Sequence, residues 1–98
     1  MSDKAILVTE KGGRDPLRFD VVVRQGNGES RHEVTLRAGD LARLASGKGG
    51  EALVEAAFAF LLEREPKEAI LGRFDLSVIS RYFPEFEREL PRYLAKAP

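Results

Sequence analysis

Between residues 17 and 36 the chain alternates between apolar and polar side chains with a period of two. Leu17, Phe19, Val21 and Val23 fall on one side of an extended strand, and Arg18, Asp20, Val22 and Arg24 on the other. Residues 30–36 repeat the pattern, with His32, Val34 and Leu36 against Arg31, Glu33 and Thr35. A shorter β-rich run, residues 5–9, precedes them. Between the two alternating runs stands Gly26-Asn27-Gly28-Glu29. Asn-Gly is the favoured central pair of a two-residue type I′ turn, because both residues tolerate positive φ. That turn predicts a hairpin in which Gly26 faces Glu29, Val23 faces His32, Val21 faces Val34 and Phe19 faces Leu36. The apolar sides then coincide, and a slip of one residue would break that agreement. On the outer side the same register sets Arg24 opposite Arg31 and Arg18 opposite Arg37.

From residue 38 the period lengthens. Residues 38–45 form a short helix candidate with Leu41 and Leu44 on one side. Residues 51–65 are the strongest helix, with no Gly or Pro inside and apolar residues around most of the circumference. Such a helix is expected to be buried on several sides, as a spine against the sheet. Pro66 ends it or opens the next turn. Residues 67–71 read as a brief helix stopped at Gly72. Asp75 reads as the N-cap of a helix over 76–82, and Pro84 as the first turn of a last helix over 85–90, which Pro91 should kink or break. Lys11-Gly12-Gly13-Arg14-Asp15-Pro16 and Ser46-Gly47-Lys48-Gly49-Gly50 read as loops. The expected fold is therefore α+β. One domain over residues 1–98 would carry an antiparallel sheet of about three strands, led by the hairpin, packed against C-terminal helices.

Ninety-eight residues suit a single core, and 43% hydrophobic content is enough to fill one. Cysteine is absent, so no disulfide can staple the chain. The start, Met1-Ser2-Asp3-Lys4, is polar, and no apolar run approaches a membrane span. These features lead to an expectation of a cytoplasmic protein without a membrane partner. Sixteen basic and sixteen acidic residues cancel, which disfavours non-specific attraction to nucleic acid.

The block Glu51-Ala-Leu-Val-Glu-Ala-Ala-Phe-Ala-Phe-Leu-Leu-Glu-Arg-Glu-Pro66, followed by Phe74-Asp-Leu-Ser-Val-Ile-Ser-Arg-Tyr-Phe-Pro-Glu-Phe86, resembles a family of small bacterial proteins of uncharacterised function. It covers roughly the C-terminal half. The resemblance implies a bacterial, cytoplasmic origin and carries over no activity and no functional residue.

Candidate chemistry is sparse. The lone histidine, His32, lies on the apolar side of its strand and reads as a partly buried structural residue; without thiols a zinc site would have to rest on carboxylates. The segment 46–50 precedes a helix, but it fails the phosphate-loop pattern at both ends, with Ala42 and Gly49 where Gly and Ser/Thr are required. It reads instead as a connector. Glu51 and Glu55, and Glu85, Glu87 and Glu89, read as a solvated surface rather than an acid–base pair. No catalytic residue, cofactor or metal is expected. Arg18, Arg24, Arg31 and Arg37 could present a cationic face to nucleic acid. Asp20 and Glu33 interrupt it, however, and no aromatic residue is there to stack a base. Tyr82, Phe83, Phe86 and Tyr93 cluster within twelve residues of a Pro-interrupted tail. They either close the core or offer a surface to a protein partner or to a second copy. The preferred expectation is a non-catalytic domain mediating protein interaction or self-association. The alternative is a nucleic-acid-binding module using the arginines.

Overall fold

The computed structural model describes residues 4–96; the polar start at residues 1–3 lies outside them. Strands β1 (Ala5–Gly13), β2 (Leu17–Gln25) and β3 (Gly28–Leu36) are followed by helices α1 (Ala38–Leu44) and α2 (Gly50–Leu62). A 3-10 turn over Lys67–Ala69, strand β4 (Arg73–Asp75), and helices α3 (Val78–Tyr82) and α4 (Phe86–Leu94) complete the chain. The sheet runs β1-β2-β3-β4. The first three strands are antiparallel, whereas β4 lies parallel to β3. The sheet is therefore mixed and four-stranded, not an antiparallel sheet of three. A parallel neighbour needs a long crossover, and here α1, α2 and the 3-10 turn supply it. Two hydrogen bonds pin β4 at its ends: Glu33 N–H donates to Gly72 O (2.8 Å) and Leu76 N–H to Thr35 O (2.9 Å).

The hairpin is present, but its register is shifted by two residues from the expected one. Gln25 faces Gly28, Arg24 faces Glu29, Val23 faces Ser30, Val21 faces His32 and Phe19 faces Val34. The turn residues are Gly26 and Asn27. Gly26 has φ 61°, and Asn27 is not among the positive-φ residues. That combination suits a II′-type turn, which needs Gly at its first central position only. Gly28 begins β3 instead, where a Cβ would come within 2.8 Å of Lys67 Nζ. A shift of two leaves every side chain on its own side of the sheet. Phe19, Val21, Val23, Val34 and Leu36 are fully buried as expected. What changes is the outer face: Arg24 gains Glu29 as its neighbour, and Arg18 sits opposite Thr35. Like charges directly across a ladder repel, and the observed register removes both arginine pairs.

Helix α2 is the centre of the core. Phe58 and Phe60 are two residues, or about 200°, apart on a helix of 3.6 residues per turn, so their rings leave on opposite sides. Phe58 meets the sheet, with ring centroids 5.3 Å from His32 and 6.0 Å from Phe74. Phe60 meets the C-terminal helices, 5.0 Å from Phe86 and 5.8 Å from both Phe83 and Tyr93. Arg64 lays its guanidinium 3.6 Å over the same Phe60 ring.

Several element ends differ from expectation: β1 continues through Gly13, α2 runs from Gly50 only to Leu62, and two later helices differ as follows. Asp75 closes β4, and α3 begins only at Val78. The Asp75 carboxylate instead accepts from Ser77 N–H (3.1 Å) and Ser77 O–H (2.6 Å), an Asx-type turn leading into the helix. Helix α4 runs through Pro91. Leu90, Tyr93 and Leu94 are buried on both sides of that proline, and their packing holds the helix across the missing donor.

Candidate functional site

The four C-terminal rings separate into two kinds. Phe86 and Tyr93 are 1% and 6% exposed and hold the core around Phe60. The Tyr93 hydroxyl donates to Glu63 Oε1 (2.6 Å) and accepts from Arg64 Nη1 (3.4 Å); Arg64 Nε also donates to Glu85 (3.2 Å). This network ties the end of α2 to the start of α4. Tyr82, by contrast, is 69% exposed, and Phe83 is half-buried.

Tyr82 and Phe83 meet residues that the sequence pattern did not single out. Leu61 from α2, Ile70 and Leu71 after the 3-10 turn, Phe74 from β4, and Val78 and Ile79 from α3 join them around an open groove of about 400 Å³. Ala69 and Glu65 complete the lining, and Glu65 is its one charged residue. The fold makes the groove from β4. Docking on β3 turns Phe74 inward and swings residues 69–71 to one side and α3 to the other. The 3-10 turn keeps Ile70 buried and leaves Leu71 49% exposed at the rim. The volume and the apolar lining fall in the range of sites that take a small molecule or a peptide side chain.

The arginines do not form one cationic stripe. Arg24 Nε and Arg31 Nη2 both pair with Glu29, at 3.2 and 3.0 Å, and Glu33 pairs with Arg73 (2.8 Å). Lys11 pairs with Asp20 (3.0 Å). Arg37 lies past the end of β3, where its charge helps keep Asp75 ionised. The outer face interleaves cations with carboxylates and carries no aromatic ring.

The remaining sequence candidates have structural partners. His32 is 5% exposed. Its Nδ1 is 2.8 Å from Leu71 O, and its Nε2 is 2.8 Å from Ser30 Oγ. A carbonyl only accepts, so Nδ1 carries the proton; Nε2 of the neutral ring then accepts from the serine hydroxyl. In the 46–50 loop, Lys48 Nζ donates to Leu94 O (2.6 Å) at the end of α4. Gly50 has no room for a side chain, since a Cβ there would lie 2.7 Å from Phe19 Cζ. Glu51 Oε2 accepts from Glu10 N–H (3.2 Å).

The perturbed carboxylates all shift downward. Arg43 hydrogen-bonds Glu87 (2.6 Å) and holds it ionised. Glu85 is lowered by its own backbone N–H and by Arg64, and Glu63 by Tyr93. Burial pushes Asp75 up, but hydrogen bonds from Ser77 and Thr35 outweigh it and the net shift is down. A general acid needs the opposite shift. Among the described residues no group of three His, Asp or Glu side chains is placed to hold a metal ion. No helix among them is long and apolar enough to cross a membrane. Comparison of the chain with protein-family models, with curated proteins and with solved structures gives no match in any of the three.

Proposed function

We propose that this protein is a non-catalytic interaction domain. Its groove between residues 69–71 and α3 takes an apolar, cation-bearing segment of a partner protein. The observation that carries the reading is the groove itself. It is apolar along its floor, open to solvent, rimmed by exposed Tyr82 and Leu71, and acidic only at Glu65. Aromatic and apolar side chains that fill or close over an apolar pocket carry much of the binding energy in such contacts. One carboxylate at the edge favours a Lys or Arg beside the partner's apolar anchor. Lack of cysteine and the resemblance to small bacterial proteins place this activity, in our reading, in a bacterial cytoplasm.

The test is retention of a partner by the intact chain, immobilised in bacterial lysate, followed by photo-crosslinking from position 82. Tyr82→Ser and Leu71→Ser should each weaken a captured partner by about 1–2 kcal/mol, or roughly five- to thirtyfold, without altering the thermal melt. Glu65→Lys should weaken it through charge. If the same proteins stay bound to all three variants, the groove is not the binding site.

A further inference from the structure

We propose that two copies of the chain associate through antiparallel pairing of β1 with β1, about a two-fold axis at Leu7. This inference concerns the opposite edge of the sheet from the groove and does not rest on it.

The direction of the β1 backbone follows from two observations. Glu10 N–H bonds the Glu51 side chain, so it points away from β2. In the hairpin, Gln25 and Gly28 close a two-residue turn as a hydrogen-bonded pair. Bonding alternates along an antiparallel ladder, so the odd residues of β2 face β3 and its even residues face β1. Through the register Val22↔Leu7 and Arg24↔Ala5, the odd residues of β1 bond β2. Ile6 and Val8 therefore direct their N–H and C=O groups outward along the edge. Edges of this kind template strand pairing unless charge, proline or a bulge blocks them. Here the bulge comes only at Glu10/Gly12, and residues 5–9 contain neither charge nor proline.

The occupant follows from the order of residues. An axis at Leu7 sets Ile6 against Val8 of the second copy, exchanging four backbone hydrogen bonds over the two equivalent sites. It sets Leu7 against Leu7 on the outer face, where the side chain is 46% exposed. It also sets Lys4 against Glu10 at both ends, on the α2 side of the sheet. Lys4 shares the parity of Ile6 and Val8 along the strand, and its charge contributes to lowering the Glu63 carboxyl. Moving the axis to Ile6 or Val8 would place Lys4 against Val8, or Ile6 against Glu10. Only the Leu7 axis joins apolar to apolar and cation to anion. Glu55 and Glu63 of α2 flank Ile6 above the same edge, so two copies bring carboxylates near one another. The dimer is accordingly one that forms at high protein concentration.

Sedimentation equilibrium of the intact chain, from about 1 µM to about 500 µM, should show the mass rising from one chain toward two. Leu7→Lys, on the outer face away from the core, should hold it monomeric with an unchanged melt. Lys4→Glu and Glu10→Lys should each weaken the dimer about tenfold, and the double variant should restore it to within about threefold. A monomer throughout, a dimer indifferent to Leu7→Lys, or a charge swap that fails to rescue would each overturn the proposal. So would a dimer abolished by Tyr82→Ser, which would place the second copy in the groove.

Discussion

Replacing Gly50 by alanine should destabilise this protein, against the usual benefit of removing a glycine from a helix. Gly50 is the first residue of α2, and nothing in its φ demands glycine. The obstacle is Phe19, whose ring would stand 2.7 Å from the new Cβ at Cζ and 3.4 Å at Cε2, with Leu17 Cδ1 at 3.7 Å. Phe19 is fully buried, and a ring in a close-packed core has little room to retreat. Over-packing of this kind costs about 1–3 kcal/mol. The gain in helix propensity is at most about 1 kcal/mol, and less in a first turn. The net expectation is a loss of about 1–2 kcal/mol. For a domain of this size each kcal/mol lowers Tm by roughly 4–8 °C. Gly39→Ala in α1 is the control, because a Cβ there meets nothing within 4 Å; it should be neutral or stabilising by up to about 1 kcal/mol. Urea unfolding of both variants, with Gly50→Ala/Phe19→Leu as a relief mutant, measures the difference. A stabilised Gly50→Ala protein would refute the packing argument.

Four further outcomes follow from the same contacts. Asp75, Glu63, Glu85 and Glu87 all have lowered carboxyl pKa values in the fold. The unfolded chain therefore takes up protons first as pH falls, and stability should be complete above the ordinary carboxyl range, about 4 to 4.5, and decline below it. Unfolding followed against pH should show this slope, and Asp75→Asn should reduce it. His32→Leu removes the donor to Leu71 O in a buried site and should cost about 1–3 kcal/mol, measured by denaturant midpoint. Phe86→Ser should unfold or severely weaken the chain, by about 3–5 kcal/mol as judged from ring truncations in cores. Tyr82→Ser should leave the melt within about 0.5 kcal/mol.

The alternating runs 17–25 and 30–36 carried the inward and outward assignment of every hairpin side chain, because burial selects one parity. Register was another matter. Moving a strand by two positions keeps parity, so Phe19, Val21 and Val34 are equally well buried in either pairing. Within the local sequence only the turn distinguishes them, and Gly26-Asn27-Gly28 offers two glycines to choose from. The deciding facts are distant: the Lys67 stem under Gly28, and the repulsion between Arg24 and Arg31 that the other pairing would impose. Strand β4 was illegible for a different reason. Three residues hold no period, and Arg73-Phe74-Asp75 becomes a strand only because β3 has a free edge beside it. The groove was half legible. An aromatic tail announced Tyr82 and Phe83, whereas Leu71 and Glu65 belong to it through the position of β4, which no local pattern encodes. Pro91 misled for a related reason: its local penalty is real, but Leu90, Tyr93 and Leu94 are anchored on both sides.

The opposed rings of Phe58 and Phe60 have a consequence for how the chain comes apart. One helix is a wall of two chambers, so neither chamber closes without the other. A fragment ending after α2 would leave the Phe60 ring bare, and one starting at α2 would strip Phe58 of its roof. Unfolding should thus be a single cooperative event, with the hairpin and the terminal helices losing protection from hydrogen exchange together. A binder that clamps the outer end of α3 would, by the same linkage, slow exchange at Val21 and Val34 on the far side of the wall.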